Sequence, residues 1–299
     1  MRLGTRTSDL AMTQSGMVAR AIGPDVVLVG ITTEGDRLVD VPLRGPLEKG
    51  YFTAELERQL LAGDIDVAVH SMKDLPVAET PGTALGAVPE RAPVSDLLIA
   101  RKEAVDPYLP GLPLREGARV GAASERRQAL VRTARADLVP AFLRGNVPTR
   151  VRRLAEGAYE AILLAEAGVE RLGLDLSAFR VYRLDPRWWP PAPGQGALAV
   201  QCRAKDIESR VRLAAIHDIP SERAVVRERQ WLGRIGGGCA TPFGAYVNRA
   251  RWSIGMMGAD GRMRTRHGDD LNEGERALAA LIAGGPGEAP PATIWKEVT

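Results

Sequence analysis

The stretch Ile65-Asp66-Val67-Ala68-Val69-His70-Ser71-Met72-Lys73-Asp74-Leu75-Pro76 decides the fold class. Its first half is a short apolar run that reads as a strand, and Gly63 just before it closes a helical segment over Phe52–Leu61. After His70 the pattern turns polar, so the strand runs into a loop that carries Lys73 and Asp74 at its carboxyl end. In open α/β sheets ligands bind at that end. Upstream, Asp25–Thr33 reads as a buried strand, and Asp9–Ile22 as a helix with Ser8 at its N-cap. Downstream, Arg126–Ala136 reads as helix, Ala141–Leu143 as strand, Pro148–Glu156 as helix and Ala161–Ala165 as buried strand. Strand and helix in alternation predict α/β layers with largely parallel sheets.

The last hundred or so residues follow another rule. Ser221–Arg234 reads as one amphipathic helix, with Ala224, Val225, Glu228, Trp231 and Leu232 on or near one stripe. Phe243–Val247, Trp252–Met257 and Arg262–His267 then read as three antiparallel strands, with a hairpin signal at Asp260-Gly261. Leu271–Ile282 reads as a closing helix, and Gly284–Pro291 as a loose tail. This is a separate α+β unit. Two breaks stand out, near Ala87–Asp96 and at the stiff, turn-rich Trp188–Gly196. No internal repeat is visible.

Composition bounds the function. The chain has 299 residues, 45% of them apolar, enough to bury a core in two or three domains. No run of 18 apolar residues exists to span a membrane, and the first residues lack an apolar signal region, so the expectation is a cytoplasmic protein. Cys202 and Cys239 cannot build a disulfide framework, and His70, His217 and His267 lie too far apart to suggest a metal. The net charge of +3 hides a skew: only five of the 40 basic residues are lysines. Yet there are 37 acidic residues and no aromatic-rich basic stripe, which argues against nucleic acid.

Three features carry chemistry. The acid Asp74 beside Lys73 could donate a proton or stabilise a cation; taken alone, the pair also fits a solvated ion pair or a helix cap. Arg6, Arg126, Arg127, Arg144, Arg150 and Arg171 fall at or near expected strand ends and helix starts. Any single one could be a solvated side chain, but together they suggest a polyanionic ligand, because guanidinium forks and helix starts both suit carboxylates. Arg150, in a first helical turn, opposes the helix dipole and so asks for a reason. Finally, Gly236-Gly237-Gly238-Cys239 is a sterically open loop with one thiol. It fits a covalently attached bulky group, or simply a loop with an inert cysteine. Cys202, in Ala197–Cys202, reads as a core residue.

These segments occur together and in order in porphobilinogen deaminases, and the chain resembles that family from about Arg2 to about Ala283. The matching pieces are Leu3–Ser8, Thr33–Asp36, Lys49–Phe52, His70–Pro76, Ser124–Gln128, Leu143–Arg150, Ala165–Leu172, Pro193–Ala197 and Gly238–Pro242. The resemblance implies two doubly wound α/β domains like those of periplasmic binding proteins, with the active site in the cleft between them. Residues 1–92 with 194–212 would form the first and 93–193 the second, while 213–299 would be a small α+β domain carrying the cofactor. It implies a dipyrromethane primer joined to Cys239 through a thioether, onto which four porphobilinogens are added with loss of ammonia before hydroxymethylbilane is released. Asp74 matches the catalytic aspartate. Lys73, Ser124, Arg126 and Arg127 match cofactor-side residues, and Arg6, Ser8, Phe52, Arg144, Arg150 and Arg171 match substrate-side ones. The family also implies a monomer. Against its pattern, Ala122-Ala123 replaces hydroxyl residues, Glu125 replaces an apolar one, and the loop before Lys49 differs.

Overall fold

The structure, a computed structural model, describes residues 1–33, 53–238 and 241–298. Its first sheet has the order β2 (Val27–Ile31), β1 (Arg2–Arg6), β3 (Val67–Ser71), β10 (Leu198–Arg203), β4 (Thr83–Ala87). β1 runs parallel to β2 and β3, while β10 runs antiparallel to β3 and β4. Apolar helix faces cover both sides. Val18 and Ala19 of α1 (Asp9–Ile22) and Leu213 of α6 (Ile207–Ala214) pack on one face; Leu56 and Leu60 of α2 (Ala54–Ala62) pack on the other. Gly63, at φ 80°, ends α2 as its position suggests. Ser8 takes the extended N-cap backbone of α1, but its hydroxyl makes no cap bond.

The second sheet has the order β14 (Trp295–Val298), β9 (Arg180–Leu184), β5 (Asp96–Ala100), β8 (Ala161–Ala165), β6 (Arg119–Ala122), β7 (Val139–Phe142). Leaving out β14, it repeats the first sheet: β7, β6, β8, β5 and β9 stand where β2, β1, β3, β10 and β4 stand. Here α3 (Glu125–Ala134) covers one face, with α4 (Val147–Ala155) and α5 (Glu166–Leu172) on the other. The sheets are therefore mixed rather than largely parallel, and the reason lies in β5 and β10. Each is entered by a helix-free connection from the opposite sheet, through residues 88–95 and 185–197. Each enters its sheet beside the carboxyl end of a parallel strand, Leu198 opposite Ser71 and Asp96 opposite Ala165, and so runs back antiparallel to it. β14 is unexpected: after the Gly/Pro-rich segment the chain pairs with β9, and Trp295 packs edge-on against Tyr182 with centroids 4.8 Å apart.

The third sheet is the expected antiparallel β11 (Phe243–Asn248), β12 (Arg251–Met257), β13 (Met263–Gly268). It packs against α7 (Ile219–Arg234) and α8 (Leu271–Ile282) around Trp231, Phe243, Trp252, Ile254 and Leu278. Glu228 of α7, fully buried, fastens this unit to both crossings. Its carboxylate takes a bidentate pair from Arg91 at 2.7 and 2.9 Å, and accepts the N–H of Gly194 at 2.7 Å and of Val247 at 2.8 Å. The two crossings touch so closely that Gly196, at φ 86°, could carry no side chain: a Cβ there would lie 2.4 Å from the Ala92 carbonyl oxygen.

Candidate active site

The described site residues follow the carboxyl ends of parallel strands. Arg6 ends β1 with Ser8 beyond it; Lys73 and Asp74 lie in a 3-10 turn after β3; Ser124, Arg126 and Arg127 follow β6; Arg144 and Arg150 follow β7; Arg171 lies in the helix after β8. The ends of the two sheets meet. Lys73 of the first lies within electrostatic range of Asp96, Arg126 and Arg127 of the second, and the Arg150 guanidinium within range of Asp74. Arg171 Nη2 donates to the Gly196 carbonyl at 2.7 Å, tying α5 to the second crossing.

Local sequence explains the placements. Ser124 is the N-cap of α3, its hydroxyl accepting the Arg127 N–H at 3.4 Å, so the helix starts with Arg126 and Arg127 turned inward. Asn146 caps α4 by accepting the Thr149 N–H at 2.9 Å, and Arg150 folds back so that its Nε donates to the Gly145 carbonyl at 2.7 Å. Gly145 adopts φ 104°, a conformation that favours glycine. The Arg144 guanidinium lies over the Phe142 ring, 5.7 Å from its centroid.

Asp96, which the sequence did not single out, organises the arginines. Its side chain is wholly buried and receives five hydrogen bonds: from Arg126 Nη2 (2.9 Å), Arg127 Nε and Nη2 (3.1 and 2.6 Å), Trp189 Nε1 (3.0 Å) and Gln195 Nε2 (2.8 Å). Arg126 also donates to the Pro190 carbonyl, and Arg127 to that of Leu163. Both guanidiniums are thus neither solvated nor wholly given to a ligand. Despite burial, the facing charges of Arg127 and then Arg126 hold the Asp96 carboxyl far below the usual range.

Among the described residues the cluster holds more cations than anions: Lys73, Arg126, Arg127, Arg144 and Arg150 with the carboxylates of Asp74 and Asp96. Burial lowers the Lys73 ammonium to about 8, against the pull of Asp74. Burial, then the charges of Arg127 and Arg144, brings Arg150 down to about 10.

Behind the site, His70 in β3 is pushed down to about 4 by burial, with the Arg6 charge adding to the effect. A folded-state pKa below the unfolded value of 6.5 means that the unfolded chain takes up a proton first as pH falls. Stability should therefore be complete above pH 6.5 and drop by about 3 kcal/mol as pH falls toward 4. Denaturation midpoints across that window check this; a His70→Gln variant with the same slope would assign the loss to other groups.

The sequence profile described as porphobilinogen deaminase, dipyromethane cofactor binding domain, matches residues 1–211. The chain belongs to the porphobilinogen deaminase family. A family member from Roseiflexus sp. is 44% identical over 270 residues, covering 87% of each chain. The porphobilinogen deaminase of Xanthomonas campestris is 41% identical over 313 residues, covering 100% of this chain and 99% of its own. That of Acidothermus cellulolyticus is 46% identical over 252 residues, covering 82% and 74%.

The residues present fit the family's dipyrromethane. Each of its pyrroles carries two carboxylates, and the excess of cations in the cluster is what such a ligand would balance. The buried Arg171 Nε, which has no hydrogen-bond partner among the described residues, is a further donor near the same strand ends. Cys239, Phe52 and Lys49 lie outside the described residues, as do residues 34–36. Cys202 is wholly buried in β10 between α1 and α6, and burial raises its thiol, which suits a core residue and not a nucleophile. Among the described residues no helix is long and apolar enough to cross a membrane.

Proposed function

We propose that Asp74 is the catalytic carboxylate of hydroxymethylbilane synthesis, a transferase reaction, and that Cys239 holds the dipyrromethane through a thioether. The observation that carries this reading is the meeting of the Lys73–Asp74 turn of one sheet with Arg126, Arg127 and Arg150 of the other. Asp74 as the acid gives its proton to the leaving amine of porphobilinogen; the carbon–nitrogen bond breaks and ammonia departs. The resulting carboxylate then faces the positive charge left on the pyrrole. Arg6, Arg144, Arg150 and Arg171 take the substrate's acetate and propionate groups, with Ser8 beside them, and the family resemblance assigns Phe52 to the substrate as well. Lys73, Ser124, Arg126 and Arg127 take those of the cofactor. When bound, the dipyrromethane supplies the pyrrole carbon to which substrate units are joined.

The finer reading is a cytoplasmic monomer that takes porphobilinogen and no nucleic acid, supported by a near balance of 40 basic and 37 acidic residues. Intact mass tests the attachment. The purified chain should exceed its polypeptide mass by two linked pyrrole units, the Cys239→Ser variant should lack that excess, and a Cys202→Ser variant should keep it. A bare mass that stays bare after incubation with porphobilinogen would overturn the proposal.

A further inference from the structure

α7 belongs to the third unit, yet its Arg229 reaches into the loop that carries Lys73 and Asp74. Arg229 Nη1 donates to the carbonyl oxygens of Met72 (3.3 Å) and Leu75 (2.8 Å), and Nη2 to that of Pro76 (2.5 Å). These three carbonyls bracket the two site residues. The loop is pinned from below as well, because Met72 and Leu75 are buried with Val88, Ala197, Ala199 and Val225. Beside the guanidinium lies a cavity of about 200 Å³ whose lining includes Met72, Leu75, Pro76 and Gln230. The planar fork reaches them from two nitrogens held in a fixed geometry, whereas an ammonium carries its three donors on one nitrogen at the end of a flexible stem.

We propose that Arg229 is a positioning residue: by gathering the carbonyls of Met72, Leu75 and Pro76 it sets where the Lys73–Asp74 turn stands against the arginines of the second sheet. The inference rests on the reading of Asp74 as the catalytic carboxylate. A helix of the third unit thereby fixes the acid, and in sequence the same helix leads to Cys239. Its consequence is a loss of rate with substrate affinity kept, since the substrate-side arginines lie on other elements, while Lys73 in the same turn is assigned to the covalently held cofactor.

The test uses full-length protein carrying its cofactor, with mass and thermal midpoint measured on each variant. Arg229→Leu should lower kcat on the order of a hundredfold, the usual result of misplacing a reacting group by about 1 Å, with KM and cofactor mass retained. Arg229→Lys, which restores a donor, should recover part of the rate and serves if the Leu variant does not fold. Combined with Asp74→Glu, which moves the carboxylate by one methylene, Arg229→Leu should cost far less than it does alone. Additive losses, or a folded Arg229→Leu protein with normal kcat, would overturn the positioning role. Full activity of Asp74→Glu and Asp74→Ala would instead remove the reading of Asp74, and the proposal with it.

Discussion

Replacing Asp74 with Ala is expected to lower turnover of porphobilinogen by about a thousandfold or more, while the chain stays folded and keeps its cofactor. Two contributions are lost together. A placed general acid is worth about 10²–10⁴ in rate, and a fixed charge opposite a developing cation adds a comparable amount. Asp74 is only half-buried, and its turn is held by the buried Met72 and Leu75 and by Arg229. Binding should not weaken either, since removing a carboxylate from a cluster whose described residues already hold more cations than anions favours an anionic ligand. The expected signature is a collapse of kcat with KM unchanged or lowered, and an unchanged thermal midpoint. A folded Asp74→Ala protein within about tenfold of normal turnover would show that protonation comes from elsewhere.

Much of this site is legible in sequence because its residues sit at strand ends, and strand ends are marked by a change from apolar to polar pattern. Lys73 and Asp74 follow Val67–Ser71 so directly that their position on the sheet could be read without structure. The same holds for Arg144 after Val139–Phe142 and for the capped helix start at Ser124. Asp96 is different. In sequence it is one acid at the head of the apolar Asp96–Ala100, and it reads as a boundary. Its meaning depends on partners 30, 31, 93 and 99 residues away, Arg126, Arg127, Trp189 and Gln195, which only the sheet order brings to it. Arg229 escapes for a related reason. On the amphipathic pattern of α7 it reads as a solvent-facing cation, whereas three main-chain oxygens, invisible to side-chain pattern, claim it. The repeat of sheet order is likewise a property of connection. Each sheet borrows its fourth strand from a crossing, so the equivalent strands do not follow one another at a fixed spacing.

The buried charge cluster leads to the second large effect, in Asp96→Asn. The substitution keeps shape and removes one negative charge from between Arg126 and Arg127, which are 4% and 6% exposed. Among the described residues the two guanidiniums would then lose the carboxylate they share, and the new amide would point donors where the Arg127, Trp189 and Gln195 donors now converge. Removing one partner of a buried ion pair costs about 3–5 kcal/mol, because the remaining charge stays desolvated. Chemical denaturation of the cofactor-free chain should show a loss of that size. With the cofactor present the loss should shrink, provided Arg126 and Arg127 also hold its carboxylates, since an anionic ligand would return part of the missing charge. An equal loss with and without cofactor would leave Asp96 as a structural counterion and take Arg126 and Arg127 off the cofactor. A loss below about 1 kcal/mol would mean that water reaches the guanidiniums and that their burial is shallower than the packing around Trp189 implies.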